Sequence, residues 1–373
     1  MSESETGHAP EPAEDAEDAE DAQDAVDEAA RGTRRFDHAA MNTVFTIFFD
    51  AELVDAGTAA GAAQEAFRLL GDIEARLSAF VPTSDIRRIN ALAEGEVCGI
   101  GAEALECLAA AAELAAATGR AFDPSAGALI DFWKERQAAP AALTVGAETA
   151  GDTAAESVTG GAALDKADAS ADPAWSAAWE AHRKGEFALD PDSRLVKCVT
   201  RGSRLDLGGV GKGYALDKMG ALLRDDWGVG GALLSAGGST VLALGSPAGK
   251  PGWKIGFGGE TRLPCLLLGG GALGSSGLEF QSAHIVDPRT GLPVTRRGLV
   301  RSIAPSATEA DALSTAFFVM GREEAAAHCA KDPTAGHIAL FEKRAAGDDV
   351  PEDFDILGEA GALTWARRTT AAA

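Results

Sequence analysis

Leu205-Asp206-Leu207-Gly208-Gly209-Val210-Gly211-Lys212-Gly213-Tyr214-Ala215-Leu216-Asp217 is the stretch on which the reading of this chain turns. A short apolar run, expected as a strand over Leu205–Leu207, ends at an acid. Glycines and one lysine follow, and a helix is expected over about 212–226. Glycines at such a junction let backbone N–H groups approach a phosphate, and the start of the helix favours an anion. Neither standard nucleotide pattern is met. Gly211-Lys212 is followed by Gly213 instead of Ser or Thr, and Asp206 stands where the first glycine of a Walker loop belongs. The dinucleotide pattern lacks its third glycine. Taken alone, the stretch is also compatible with a plain tight turn.

On both sides of this block the chain alternates short apolar runs with helical patterns. Upstream, Val44–Phe49 reads as a strand. Residues 56–79 read as a helix with Phe67, Leu70, Ile73 and Leu77 at helical spacing. Ser84 or Asp85 caps a short helix through Ile89, and an Ala-rich helix over 101–118 ends at Thr118-Gly119, a C-cap signal. Residues 140–172 hold almost no large apolar side chains and read as an inserted flexible loop, after which Trp175 and Trp179 restart order in a short helix. Downstream, strands are expected at Leu195–Cys198, Gly231–Ser235, Val241–Leu244, Trp253–Phe257, Cys265–Leu268, Val300–Ala304 and Ile338–Phe341, with helices at about 309–320 and 322–331. Ser235–Ser239 and Gly274-Ser275-Ser276-Gly277 read as Gly-rich turns. Strands outnumber long helices, which points to an α+β fold with antiparallel sheets.

Composition bounds the function. The 373 residues carry a net charge of −24, and residues 1–30 alone hold 12 acids with no Lys or Arg. That tail, residues 1–35, is too polar to offset chain entropy and is expected to be disordered, with order beginning near Phe36. A chain this acidic is not expected to bind nucleic acid or an anionic membrane surface. The five cysteines lack metal or redox spacing and read as reduced thiols. No long apolar run and no basic-then-apolar start is found, so a cytoplasmic, soluble protein without membrane insertion is expected.

Three further motifs carry possible chemistry. Asp311 and Thr315, in Thr308–Phe317, are four apart on a helix and share a face. Their oxygens are hard ligands of the kind Mg²⁺ prefers, or else a capping acid and a packed hydroxyl. His284-Ile285-Val286-Asp287-Pro288-Arg289-Thr290-Gly291 places a histidine before a turn, as a base or as a structural partner. His8, His38, His182, His328 and His337 form no metal-ligand spacing, so zinc is not expected. In Thr118–Gly127, Phe122 and Asp123 stand side by side, suited to stacking on a flat ring and bonding its polar edge, or to an ordinary turn.

Taken in order, these motifs resemble the ApbE family of FAD:protein FMN transferases. The resemblance covers about residues 40–342 without the insertion. It runs through Met41-Asn42-Thr43, Leu77-Ser78-Ala79-Phe80 with Ser84 and Asn90, and Gly119–Asp123. It continues with Leu205–Asp217, Ser235–Gly238, Ser276-Gly277, His284–Gly291, and Asp311–Thr315 with Met320-Gly321. It implies a single domain at 36–345 with its active site in a central cleft, and a C-terminal extension at 346–373. It implies that FMN moves from FAD to a Thr or Ser hydroxyl of an acceptor protein, with release of AMP. Met41, Phe80, Ala121, Phe122, Asp123, Asp206, Lys212 and Ile285 would contact FAD. Asp311, Thr315 and carbonyls near Gly209 and Ser314 would hold Mg²⁺, and His284 would be the base.

The chain departs from the family pattern in three places. Asn42 stands where the family usually has Gly, Ser239 where it commonly has Asp, and the lipoprotein signal common in the family is missing. The acceptor is then expected to be cytoplasmic. No acceptor motif of the family type, Asp-x-x-(Ser/Thr)-Gly-Ala-Thr, occurs in the chain, so self-modification is not expected. Two other activities fit the same residues: FAD hydrolysis to FMN and AMP, and FAD binding without catalysis.

Overall fold

The computed structural model describes residues 32–138, 169, 171–256, 265–277, 285–296, 298–342, 354–359 and 363–366. Eight antiparallel strands form the main sheet: β1 (Thr33–Ala40), β2 (Thr43–Asp50), β3 (Ala232–Ala236), β4 (Thr240–Leu244), β5 (Gly271–Gly277), β6 (Leu299–Ala304), β7 (Ile338–Glu342) and β8 (Phe354–Leu357). Their order in the sheet is their order in the chain. The helices among the described residues are α1 (Ala56–Leu77), α2 (Asp85–Asn90), α3 (Ala102–Ala117), α4 (Gly127–Ala138), α5 (Pro173–Lys184), α6 (Gly211–Asp225) and α7 (Ala307–Lys331). One three-stranded sheet joins Val97–Gly99, Leu195–Thr200 and Glu186–Asp190, and another joins Thr364–Ala366, Cys265–Leu268 and Trp253–Ile255.

The middle of the main sheet is covered on both faces, which is why β2, β3, β4, β6 and β7 are buried along nearly their whole length instead of alternating, whereas the edge strand β1 is polar and largely exposed. On β2, Phe45, Ile47 and Phe49 enter the larger core with the helices. Phe48 joins Leu233, Val241, Leu273 and Leu340 in a second core against Trp253, Ile255 and Leu266. Burying each such side chain stabilises the fold by about 1.5–3 kcal/mol. A third, smaller core packs Leu129, Trp133 and Trp175 against Val286.

Local signals set the helix ends. Asp55 accepts from the Gly57 and Thr58 N–H groups to start α1, and Ser84 accepts from Arg87 N–H to start α2. α3 stops at Thr118, followed by Gly119 at φ +57°. Ser306 and Glu309 form a capping box on α7. The Asp217 carboxylate also accepts from the Ala307 and Thr308 N–H groups, both at 2.8 Å. α7 breaks at Gly321, φ +79°, where Arg296 Nη1 donates to Phe318 O at 2.6 Å, so the two expected helices are separate in direction though continuous in the chain.

Several expectations change. Leu205–Leu207 is not a strand. Its backbone is held by a side chain instead: Leu205 N–H donates to Asn90 Oδ1 (2.8 Å), and Asn90 Nδ2 donates to Leu205 O (2.9 Å). Gly274–Gly277 is not a turn but part of β5, in the middle of the main sheet. Regular pairing starts at Thr33, where β1 meets β2, instead of near Phe36. Residues past 346 supply β8 and the strand Thr364–Ala366, so they complete two sheets. Phe257, residues 1–31 of the acidic tail, and 140–168 and 170 of the expected insertion lie outside the described residues.

The five cysteines are free thiols, as their spacing suggests. Burial pushes the Cys107 thiol up to about 12. No described helix is long and apolar enough to cross a membrane.

The far half of α7 carries a pH-sensitive contact. His328 stacks on His337, with ring centroids 5.5 Å apart. Burial, then the neighbouring His337, lowers the His328 pKa below its ordinary 6.5. The unfolded chain therefore takes up this proton before the folded one does. The stabilisation is fully present above pH 6.5 and is lost as pH falls through the folded pKa. His328→Gln is expected to flatten the acid side of the stability curve below pH 6.5, read by urea unfolding across pH. An unchanged slope would remove His328 as its source.

Candidate active site

A cleft of about 580 Å³ opens where the loop after α3, the turn into α6, the β3–β4 turn, the end of β5, the 285–288 segment and the first turns of α7 converge. Ala121, Phe122, Asp123, Asp206, Gly209, Lys212, Ile285, Asp311 and Thr315 all line it. Residues from six separate parts of the sequence thus meet around one space.

The glycine block performs as a junction. Asp206 Oδ1 accepts from Gly208 N–H at 2.7 Å and closes the turn. Lys212 Nζ donates back to Gly208 O at 3.0 Å, which keeps the ammonium over the loop. A Cβ on Gly209 would stand 3.3 Å from Thr315 Oγ1 and 3.4 Å from the Phe122 ring, so this glycine brings the loop, the aromatic wall and α7 together.

Asp311 is the fixed charge of the site. It is 4 % exposed. Thr240 Oγ1 donates to its Oδ1 at 2.9 Å, and Gly213 N–H donates to its Oδ2 at 3.0 Å. Lys212 Nζ is 3.8 Å from Oδ1. Beside it runs a chain of hydroxyls. Ser276 Oγ lies 2.8 Å from Ser314 Oγ and 3.2 Å from Thr315 Oγ1, and Ser314 Oγ donates to the Asp311 carbonyl at 2.8 Å. Ser314 is fully buried and stands behind the cleft.

This donor set suits a hard cation. It is all oxygen, and an ionised carboxylate with one bond on each oxygen keeps lone pairs for a metal. Among the described residues no cluster of three His, Cys, Asp or Glu is present, so a cation here would need oxygens supplied by a polyanionic ligand.

Asp123 is held by its own loop. Its Oδ1 accepts from Ser125 N–H (2.9 Å) and Ser125 Oγ (2.7 Å), and Arg120 Nη2 lies 2.5 Å from Oδ2. Of the expected Ser235–Ser239 turn, Ser235 and Ala236 are the end of β3, and residues 237–239 form the β3–β4 hairpin loop. Gly237 and Gly238 have φ +57° and +70°, and a Cβ on Gly237 would run into Thr43. Ser239, where the resembling family commonly has Asp, lines the cleft with its hydroxyl turned back to Ala236 O at 3.1 Å.

Two expected contacts do not reach the cleft lining. Met41 sits in the two-residue β1–β2 turn at φ +49°, its N–H donating to Glu74 Oε1 at 2.6 Å. Asn42 follows at φ +62°. Asn tolerates this left-handed conformation better than other side chains, so the replacement of Gly here keeps the turn. Phe80 is 87 % exposed on the loop after α1 and is not among the lining residues. His284 lies outside the described residues. Thr240 was not legible as a site residue. It becomes one only through the register that opposes it to Ala236 across the hairpin, next to α7.

The ApbE family model matches residues 41–339. The chain is 28 % identical over 307 residues to the FAD:protein FMN transferase of Treponema pallidum (strain Nichols), covering 75 % of this chain and 77 % of that protein. It is 33 % identical over 135 residues to the FAD:protein FMN transferase of Klebsiella pneumoniae (strain 342), a match that covers 32 % of this chain and 38 % of that one. Among solved structures, the flavin transferase ApbE of Vibrio cholerae superposes with a TM-score of 0.65 at 19 % identity, covering 88 % of this chain and 97 % of that one. The ApbE protein of Thermotoga maritima superposes with a TM-score of 0.62 at 24 % identity, covering 83 % and 94 %. These likenesses show a shared fold.

Proposed function

The chain belongs to the ApbE family, and from that premise we propose that its cleft binds FAD and transfers FMN to a Ser or Thr hydroxyl of an acceptor protein, releasing AMP. The observation that carries this reading is the convergence of Phe122, Asp206, Lys212, Ile285, Asp311 and Thr315 on one cleft. The names of the Treponema and Klebsiella relatives support the same activity.

The reaction forms a bond between the acceptor oxygen and the FMN phosphorus and breaks the bridging P–O bond. The bridging oxygen and its electron pair leave with AMP, and the hydroxyl proton passes to a base. Such a transfer depends on placing and neutralising the phosphates. Lys212 would supply positive potential where the pyrophosphate lies; the N–H groups of Gly208, Gly211 and Gly213, expected to face a phosphate, are instead bonded to Asp206, Leu207 and Asp311. Phe122, Ala121 and Ile285 would form the apolar bed for the flat ring, with Asp123 at its polar edge. Met41 would act from the rim, in the turn whose Thr43 abuts the lining residue Gly237, and the role of Phe80 rests on the family resemblance. His284 is the proposed base.

Mg²⁺ belongs to the proposal, held by Asp311, Thr315 and carbonyls near Gly209 and Ser314; when bound it would act as a Lewis acid on the phosphates. The oxygen-only donor set supports it. The catalytic unit is proposed as 36–345, with the first residues of β1 and the whole of β8 adding to its sheet from outside those bounds. A cytoplasmic acceptor is proposed because cysteines kept as thiols suit a reducing compartment.

The test is AMP release from FAD with Mg²⁺, with and without a peptide carrying Asp-x-x-Thr-Gly-Ala-Thr, together with the mass of the peptide. The expected result is AMP that depends on the peptide, and a peptide heavier by one FMN phosphoester. AMP without peptide modification would establish hydrolysis instead, and bound FAD without AMP would establish a carrier.

A further inference from the structure

The Ile285–Pro288 segment lines the cleft, yet little sheet supports it: its ladder consists of Val286–Asp287 against Leu292–Pro293. Support comes from α4 and α5, the helices on either side of residues 139–172. Trp133 Nε1 and Trp175 Nε1 both donate to the Gly291 carbonyl, at 2.9 and 3.0 Å. Gly291 is left-handed at φ +75°, and a Cβ there would stand 2.7 Å from the Trp179 ring, so the turn is seated against the same helices.

His182, in the last turn of α5, extends this contact across the cleft lining. It is 4 % exposed. Its Nε2 lies 3.0 Å from Pro288 O and its Nδ1 3.2 Å from Ser125 O. Ser125 is the residue whose N–H and hydroxyl hold Asp123 Oδ1. Asp123 Oδ2 itself is 3.9 Å from His182 Nε2. One buried ring therefore joins the loop that carries Phe122 and Asp123 to the segment that carries Ile285. A ring with a proton on each nitrogen donates to both carbonyls, whereas a ring with one proton donates to one of them. The α5 end is itself anchored, since Ser203 Oγ donates to Gly185 O at 2.8 Å.

We propose that His182 is a positioning residue that sets the spacing between the 121–126 loop and the 285–288 segment, and through it the fit of the flavin half of the substrate. The proposal rests on the reading that FAD occupies this cleft. Its own side chain touches no reacting atom, so the expected signature is in binding and local order more than in the chemical step.

The test compares wild type, His182→Gln and His182→Leu by steady-state kinetics with FAD, and by amide hydrogen exchange without FAD. For His182→Leu the KM for FAD is expected to rise roughly tenfold or more, with kcat changed far less, because the walls of the flavin site lose their preorganised spacing and must be ordered on binding. Exchange should accelerate across 285–296. His182→Gln keeps an N–H donor, so it should fall between the two. If the Leu variant does not fold, the Gln variant decides by the same readouts. Unchanged KM overturns the proposal, whether or not exchange accelerates, because the ring would then be a structural tie alone. A wild-type protein that neither binds FAD nor releases AMP would instead defeat the reading of the cleft, while the exchange data still show whether His182 holds the two segments.

Discussion

Replacing Asp311 with asparagine is expected to lower FMN transfer by roughly 10²–10³-fold, the usual effect of removing a preorganised electrostatic group from a closed site. The carboxylate is buried, and both of its oxygens are already oriented, by Thr240 and by Gly213 N–H. It would therefore need no reorganisation to take the proposed cation. Asparagine keeps the shape and one accepting oxygen but removes the charge. Alanine is the less clean substitution. It leaves a buried hydroxyl and a buried N–H without partners, at about 1–3 kcal/mol each, so loss of activity could be confused with loss of fold. Single-turnover AMP release against Mg²⁺ concentration, with Mn²⁺ binding followed separately by electron paramagnetic resonance, distinguishes the roles. Asp311→Asn should bind Mn²⁺ weakly and melt near the wild-type temperature. Wild-type turnover at low Mg²⁺ in that variant would remove Asp311 from the metal site.

Thr240 offers the complementary view of the same carboxylate. Its hydroxyl is fully buried, and its bond to Oδ1 is the side-chain restraint that Gly213 N–H does not supply. Lys212 approaches to 3.8 Å without closing a tight ion pair, so the carboxylate is partly balanced but still open to a cation.

Much of the site was legible because its chemistry is local in sequence. The Asp206–Lys212 loop folds on itself, and Asp311 and Thr315 share a helix face, so spacing shows which side chains lie together, while the family resemblance is what assigns them to a site. The sheet was less legible. Leu205–Leu207 has the composition of a strand, but the partner it needs is not a strand: the Asn90 amide, 115 residues away, bonds both polar groups of the Leu205 peptide. Propensity cannot show that. Gly274-Ser275-Ser276-Gly277 failed in the opposite sense. Glycine and serine spell a turn wherever local preference decides, but here a helix lies so close to the strand that larger side chains do not fit. The edge strand β1 was hidden by the acidic tail that precedes it, and Thr240 by its lack of any motif. Except for β1, whose partner is the next strand, each of these is set by long-range contact, and so is the clamp of Trp133, Trp175 and His182 on the 288–291 turn.

The close approach on β5 leads to the second large effect expected, that Gly274→Ala and Gly213→Ala each destabilise the fold severely. The first turns of α7 are wedged between β5 and α6. A Cβ on Gly274 would run into the carbonyl group of Ala310, and a Cβ on Gly213 would run into the carbonyl of Ala307 and stand 2.8 Å from Asp311 Cβ. In both cases the obstacle is main chain, which has no rotamer to change. The Ala310 carbonyl is also fixed from another side, since Ser302 Oγ donates to it at 2.5 Å. Overpacking ordinarily costs about 1–3 kcal/mol, and where backbone meets backbone the upper end or beyond is expected. Relief requires α7 to move away from the sheet or from α6, and α7 carries Asp311, Ser314 and Thr315. Thermal melts of the two variants should therefore fall by roughly 5 °C or more, and whatever folds should have lost metal affinity along with stability. The neighbouring Gly270, with open space at its Cβ position, is the control: Gly270→Ala should melt within about a degree of wild type, consistent with the small effect of surface changes away from packed features. Wild-type melting of Gly274→Ala would mean that α7 does not lie against β5 as closely as the Ala310 contact requires.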